Sequence, residues 1–374
     1  MATFKRKIFY LSGFDPRGAS FYHRMMAEQA AADAARGGPG IAVGRRRTLD
    51  AARAEWTIEA PGTATSYTCL RWEDLVRAAW IRDPRRLVAR GFATYWRYLT
   101  LSDWPRVLAL PRAPLTTLYY PLAAMVAVPL LLALAAGLLL GLVLPGWAAA
   151  LLGLAIGAAG SVPVLVRLRA LWLVRLYVFN DLLARGRPVP GLDARLDLFA
   201  DAIAAELAAG DADEVLLVTH SNGSILAFPL VERLLARTGG TLPGHFAVVT
   251  LAQCIPLVAL RRDAAAYRAS IATVAAVPFR WIDISFPPDG ACYAGVDPFA
   301  LGRPPRVATD LTMLSPRFFR FRDAEVYEAR RKQKYELHFE YLRTGQRPSP
   351  IDILGITTAP HPIAQSIDAF RLIA

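Results

Sequence analysis

The chain has 374 residues, enough to bury a sizeable core in one large or two modest domains. Hydrophobic residues make up 54% of it and charged residues 20%, which is more apolar than a typical soluble protein and suggests a membrane association. The formal net charge is +12, and the three cysteines lack the spacing of a disulfide framework or a zinc site, which fits a reducing compartment.

The first predicted element is a short buried strand over 6–13, ending at Gly13. A loop that contains Phe14 follows, and a helix is predicted over 20–36. The apolar run before Asp15 is too short for a cleavable signal peptide, so the N-terminus is expected to stay in the cytoplasm. Further candidate strands follow at 41–46, 55–59 and 66–70. A helix then begins at "WEDLVRAAW".

Residues 113–166 contain no Asp, Glu, Lys, Arg or His. Pro145 and Gly146 form a turn signal that divides the stretch into spans over about 119–144 and 147–166. At about 1.5 Å per residue, each span can cross a hydrocarbon core of roughly 30 Å. A buried helical hairpin in a soluble cap domain is the alternative, but the run "LLLALAAGLLLGLVL" lacks the polar stripe expected of one. The sequence therefore predicts a transmembrane helical hairpin over 113–168.

Arginines flank this hairpin on both sides, whereas its turn carries no charge. The flanking arginines are Arg82, Arg85, Arg86, Arg90, Arg97, Arg106 and Arg112 before it, and Arg167, Arg169, Arg175, Arg185 and Arg187 after it. The positive-inside rule therefore places both termini and the remaining domain on the cytoplasmic side of the cell inner membrane. Because an anionic leaflet attracts such residues by about 1 kcal/mol each, we expect the lipid bilayer as partner and no nucleic acid.

After the hairpin, predicted strands alternate with helices. In chain order these are a helix over 192–210, a strand over 214–219, a helix over about 223–237, and strands over 246–252 and 279–286. Such alternation predicts an α/β fold with a mostly parallel sheet covered by helices on both faces. The hairpin would interrupt one domain that is built from residues 1–112 and 169–374.

The segment "THSNGS" joins the strand to the helix after it and has the pattern small-x-Ser-x-Gly around Ser221. A serine between a strand and a helix is the context of a nucleophile elbow, in which a tight turn exposes the hydroxyl. The small residues Thr219 and Gly223 allow neighbouring backbone to approach. An ordinary strand–helix turn with a capping serine is the alternative.

In these residues the chain resembles the α/β-hydrolase superfamily, whose lipases and esterases carry G-x-S-x-G, often with a histidine before the serine, as in His220-Ser221. It departs from that pattern at Thr219, which replaces the first glycine, and at Pro229, which is expected to kink the helix. The resemblance covers roughly residues 6–36 and 192–345. It implies that the backbone amides of Phe14 and Asn222 form an oxyanion hole.

The resemblance also implies an acid and then a histidine after the serine. Asp289, beyond the strand over 279–286, is favoured as the acid, and Asp297 and Asp283 remain alternatives. His338 is favoured as the base, because its surroundings are similar to the C-terminal tail of bacterial lipase-like hydrolases with membrane spans. His361 remains the alternative.

Together these inferences predict a membrane-anchored serine hydrolase, an esterase or lipase acting on an acyl ester of lipid origin, that needs no metal and no organic cofactor. An acyltransferase or thioesterase on the same fold is one alternative. A non-catalytic membrane adaptor that keeps the scaffold is another, because a fold does not guarantee an activity.

Overall fold

The computed structural model of the chain describes residues 3–373. Its strands are β1 (Phe4–Leu11), β2 (Ala42–Val43), β3 (Arg47–Thr48), β4 (Arg53–Ala60), β5 (Thr63–Leu70), β6 (Glu214–His220), β7 (Phe246–Leu251), β8 (Arg280–Ile284) and β9 (Asp310–Leu314). Its helices are α1 (Ala19–Ala34), α2 (Glu73–Ala78), α3 (Pro84–Leu101), α4 (Trp104–Leu108), α5 (Arg112–Leu140), α6 (Gly146–Arg167), α7 (Ala170–Ala184), α8 (Leu192–Ala209), α9 (Gly223–Arg237), α10 (Pro256–Ala259), α11 (Ala265–Ala275), α12 (Phe318–Phe321), α13 (Ala324–Lys332), α14 (Lys334–His338), α15 (Ile353–Thr358) and α16 (Ile363–Ile373).

The strands form one mixed sheet in the order β2-β4-β5-β1-β6-β7-β8-β9, with β3 paired to β4. From β5 to β9 all neighbours are parallel, and β4 is antiparallel to β5. The two-residue connection Pro61–Gly62 imposes that antiparallel pair, since so short a link can only reverse the chain. The predicted α/β class and mostly parallel sheet are confirmed, and the antiparallel edge is an addition to the prediction.

Side chains alternate between two cores on the two faces of the sheet. In β1, Phe9 and Leu11 join one buried cluster, and Ile8 and Tyr10 join the other. The first cluster also contains residues of α3, α7, α8, α9 and α11, whereas the second contains residues of α1, α15 and α16. Helices therefore cover both faces, and the carboxyl ends of the parallel strands open at one edge of the sheet.

Helices α5 and α6 are long and apolar enough to cross a membrane, and only 17% and 28% of their most apolar 18-residue windows are buried. Leu131, Leu138 and Leu151 are 64%, 67% and 61% exposed. Helix α5 begins and ends earlier than the predicted span over 119–144. Its first turns belong to the domain, because Leu118 and Met125 are buried in the same cluster as α3 and α7.

Small residues bring α5 and α6 into close backbone contact. A Cβ atom on Gly157 would lie 2.5 Å from the Pro129 carbonyl oxygen, and one on Gly153 would lie 2.7 Å from that of Ala133. Glycines four residues apart at a helix interface are typical of packed membrane helices, because they allow the backbones to approach. The two helices therefore form a hairpin whose inner face is tightly packed and whose outer face is apolar.

The sequence analysis did not assign α3, α7 or β9. Helix α7 has no polar face, because it lies between the sheet, α3 and α5 and is buried along most of its length. A helix that is apolar on all sides gives no helical periodicity.

Candidate active site

Ser221 lies between β6 and α9, with a backbone φ of +55°. A non-glycine residue in this left-handed region carries strain of the order of 1–3 kcal/mol, and such strain is concentrated at functional sites. Gly223 makes the turn possible, because a Cβ atom there would lie 2.6 Å from the Leu11 carbonyl oxygen and 2.7 Å from that of Ser12. The turn thus has the tight geometry expected of a nucleophile elbow.

A chain of hydrogen bonds joins Ser221, His338 and Asp289. The Ser221 Oγ lies 2.7 Å from His338 Nε2, and His338 Nδ1 lies 2.7 Å from Asp289 Oδ2. With the ring proton on Nδ1, His338 donates to the carboxylate and its Nε2 accepts from the serine hydroxyl. The three residues are far apart in the chain, and the ends of β6, β8 and α14 bring them together. The three side chains are connected in the same order as in a serine-histidine-aspartate triad.

Asp289 is buried and held in one orientation. Its Oδ1 accepts a hydrogen bond from the amide of Ala291 at 3.0 Å. Burial acts to raise the pKa of the Asp289 carboxyl, but the nearby His338 ring, its hydrogen bond and the Ala291 amide outweigh burial, so the pKa lies below its ordinary value. The carboxylate is therefore charged at neutral pH and can stabilise a positive charge on the His338 ring.

His220 packs behind the elbow. Its Nε2 donates to the carbonyl oxygen of His338 at 2.9 Å, and its ring contacts Phe339 and Tyr341. Burial and the neighbouring His338 lower the pKa of His220 to about 3. The ring therefore stays neutral and fixes the backbone that carries His338.

The loop after β1 lies against the serine. A Cβ atom on Gly13 would lie 3.3 Å from the Ser221 Oγ, so a side chain at this position would press on the serine. Within residues 3–373, neither the Phe14 amide nor the Asn222 amide donates to a protein acceptor. Asn222 follows the serine in the chain, and Phe14 follows Gly13, which contacts the serine.

Asp15 and Arg17 pair to shape this loop. Asp15 accepts from the Arg17 Nε and Nη2 and from the Tyr22 hydroxyl. Burial acts to lower the pKa of Arg17, but the hydrogen bond and the charge of Asp15 outweigh it and raise the pKa.

The alternative acids and the alternative base lie elsewhere. Asp283 sits within β8 and accepts from Thr250 and Ser285, and Asp297 accepts from the amides of Phe299 and Ala300. The carbonyl of His361 accepts from Arg6, near the start of β1, and therefore at the opposite end of the strands from Ser221. The structure thus brings Asp289 and His338 to Ser221 and leaves the other three candidates apart.

The serine opens into a cleft of about 310 Å³ that is lined by both apolar and polar side chains. The apolar ones include Phe14, Trp80, Trp172 and Leu176, and the polar ones include Asp15, Arg17, Tyr22 and Tyr335. Trp172 and Leu176 come from α7, which begins three residues after the end of α6. The sequence analysis did not find Trp80 or Tyr335, because a single aromatic residue in a loop or short helix has no distinctive spacing.

Cys254 is a further neighbour that the sequence did not single out. Its Sγ lies 4.0 Å from the Ser221 Oγ, behind the serine at the end of β7. Burial, with a contribution from the nearby Asp289, raises the pKa of this thiol well above its ordinary value. A buried neutral thiol packs as a small apolar group, and Ser221 is the only serine, threonine or cysteine among the described residues that line the cleft.

Residues 3–373 contain no group of three or more His, Cys, Asp or Glu side chains arranged to hold a metal ion. A scan against protein-family models and searches of curated proteins and of solved structures found no match to this chain. Any function assigned to this chain therefore depends on the geometry of the site.

Proposed function

We propose that this protein is a membrane-anchored serine hydrolase of the α/β-hydrolase type that cleaves acyl esters. The hydrogen-bond chain from Ser221 through His338 to Asp289, at 2.7 Å for each bond between side chains, carries this proposal. An unaided serine hydroxyl is a poor nucleophile, and a histidine oriented by a carboxylate is the usual means of activating it.

In the proposed reaction, the Ser221 Oγ attacks the ester carbonyl carbon while His338 Nε2 takes the hydroxyl proton. The amides of Phe14 and Asn222 donate to the carbonyl oxygen as it becomes negative, an effect worth roughly 3–4 kcal/mol per donor in other enzymes. The tetrahedral intermediate collapses, the C–O bond to the alcohol breaks, and His338 returns the proton to the leaving oxygen. Water, deprotonated by His338, then attacks the carbonyl carbon of the acyl-serine. The bond from that carbon to the Ser221 Oγ breaks, the acid is released, and His338 returns the proton to Ser221.

The mixed lining of the cleft supports an amphiphilic substrate. Its aromatic and aliphatic side chains suit an acyl chain, and its polar side chains suit the alcohol part of the ester. Because α7 begins three residues after the end of α6, Trp172 and Leu176 are close in the chain to the proposed membrane span. An ester drawn from the bilayer fits this arrangement.

The hairpin supports anchorage in the cell inner membrane with both termini cytoplasmic. Its outer face exposes leucines that an aqueous environment would not favour. Arg112 and Arg167 lie at its base and the turn at its tip is uncharged. That asymmetry favours a cytoplasmic position for the base.

Hydrolysis of soluble nitrophenyl esters by the full chain in detergent tests the catalytic proposal. Ser221→Ala and His338→Ala should each lower kcat/KM at least about 1,000-fold, because the members of a triad act together. Ser270→Ala is the matched serine control, since its buried hydroxyl has no partner among the described residues, and His361→Ala is the histidine control. Both controls should stay within about threefold of the parent. Equal rates for the parent and Ser221→Ala would favour the adaptor and contradict the proposal.

A further inference from the structure

Helix α3 presents large apolar side chains to the surface. Phe92, Trp96 and Leu99 are 42%, 68% and 40% exposed, and their spacing of four and three residues places them on one helix face. A contiguous exposed stripe of this kind marks an interaction surface more often than chance exposure does. We call these three residues the outer face of α3.

The opposite face of α3 is fixed to the base of the hairpin. Gly91 allows close contact, because a Cβ atom there would lie 2.8 Å from the Val174 Cγ1 and 3.3 Å from the Met125 Cε. Arg97 forms a bidentate pair with the buried Asp181 of α7. The fold therefore holds α3 without using its outer face.

Unpaired positive charge lies at the start of α3 and just before it. Arg82, Arg85, Arg86 and Arg90 are exposed, and none of them contacts a carboxylate within residues 3–373. Asp83, their acidic neighbour in the chain, accepts from the Arg85 amide at the start of α3. Four exposed cations without a carboxylate partner, together with an aromatic and aliphatic stripe on the same helix, have the composition of a helix that binds an anionic lipid surface.

We propose that α3 lies in the head-group region of an anionic bilayer leaflet, with its outer face inserted to the acyl boundary and its arginines on lipid phosphates. The inference rests on the membrane anchorage of the proposed function and is independent of the catalytic step. Its consequence concerns substrate supply. Trp80, which lines the cleft, lies four residues before α3, so the helix holds the mouth of the cleft next to the leaflet and a lipid ester can reach Ser221 without crossing water.

A site-specific label on the full chain tests this surface. Because Cys69, Cys254 and Cys292 are buried, a fluorophore on Trp96→Cys reports on α3 alone. Phe319→Cys is the matched control: Phe319 is aromatic, 50% exposed, and belongs to a helix packed on the other face of the sheet. In single-copy nanodiscs with anionic phospholipid, iodide should quench the label at 96 at least about threefold less than the label at 319. Brominated lipids should quench mainly the label at 96.

The triple variant Arg85→Gln, Arg86→Gln and Arg90→Gln distinguishes the contribution of the arginine charges from that of apolar burial. In anionic nanodiscs it should raise iodide quenching at 96 at least about twofold, and in purely zwitterionic nanodiscs it should have no effect. Equal iodide quenching at 96 and 319 in the parent would overturn the proposal. So would protection at 96 that appears only in discs with two copies, because the outer face would then be a protein interface. Rates on a soluble ester should be unchanged throughout, which keeps this test apart from that of catalysis.

Discussion

At the scale of single residues, Ser221 and its neighbours show how an unfavourable conformation is maintained. Its amide donates to the Leu251 carbonyl, and its carbonyl accepts from the Ser224 amide and hydroxyl. These bonds hold the left-handed backbone in place from both sides. The hydroxyl is left facing the cleft, in contact with His338 Nε2.

Asp283 provides a prediction about pH and stability. Burial raises its pKa to about 7, against the hydrogen bonds from Thr250 and Ser285. The folded state therefore holds this proton more tightly than the unfolded chain, in which the pKa is about 3.9, and folding loses stability as the pH rises from about 4 to about 7. Because asparagine does not ionise, Asp283→Asn removes this loss of stability.

We expect the unfolding free energy of Asp283→Asn, relative to that of the parent, to be higher at pH 8 than at pH 5 by the order of a few kcal/mol. Chemical denaturation in detergent at the two pH values measures it. Asp310→Asn, at an exposed carboxylate, is the control and should show no such difference. An equal effect of Asp283→Asn at both pH values would show that burial of a charge at this position does not affect folding.

The sequence identified the candidate serine because strand, small residues and helix are adjacent in the chain. It could only rank the candidates for the acid and for the base, because the distance from Asp289 or His338 to Ser221 depends on the path that the loops take in the folded chain. It had no basis for assigning Arg17 or Tyr335 to the cleft, because each is defined by contacts between distant segments.

At the scale of elements, α9 shows how a contact from another helix overrides the rule that proline interrupts a helix. Pro229 lies inside α9 and has no N–H for the Ile225 carbonyl. The hydroxyl of Tyr267 donates to that carbonyl at 2.9 Å instead. The helix behind the serine therefore continues to Arg237, and the substitute donor comes from α11, which sequence periodicity could not reveal.

The hairpin offers a prediction with a closely matched control. Gly157→Leu places a side chain against the Pro129 carbonyl, whereas the first side-chain atom of Gly160→Leu would have only Leu132 within 4 Å, at 3.7 Å. Both add the same apolar volume to α6. We expect Gly157→Leu to destabilise the chain by about 1–3 kcal/mol and Gly160→Leu to have little effect, because only the first forces α5 and α6 apart.

Thermal unfolding in detergent, followed by the loss of solubility, compares these two variants. Equal melting temperatures would show that the close packing of α5 on α6 does not contribute to stability. The ends of α5 differ from those of the predicted span for a related reason. Hydropathy detects an apolar run, but it does not distinguish the turns that pack on the domain from those that stay exposed.

At the scale of the whole molecule, one sheet contains strands from both sides of the hairpin. β1 precedes the hairpin and β6 follows it, and the two pair in parallel with Arg6 opposite Glu214. The serine follows β6 and the loop of Gly13 and Phe14 follows β1, so the candidate site requires both parts of the chain. The hairpin is inserted between these two parts of the chain, but the sheet still brings their residues together at the site. Helix α7 connects the hairpin to the cleft.

Covalent labelling of the intact protein in detergent is the most direct test of whether this assembly activates Ser221. A fluorophosphonate should phosphonylate one residue of the parent, and peptide mapping should locate the group on Ser221. Ser221→Ala should remove the label, His338→Ala should slow its attachment at least about 100-fold, and Ser270→Ala should leave it unchanged. A label on another residue, or labelling that persists in Ser221→Ala, would contradict the account.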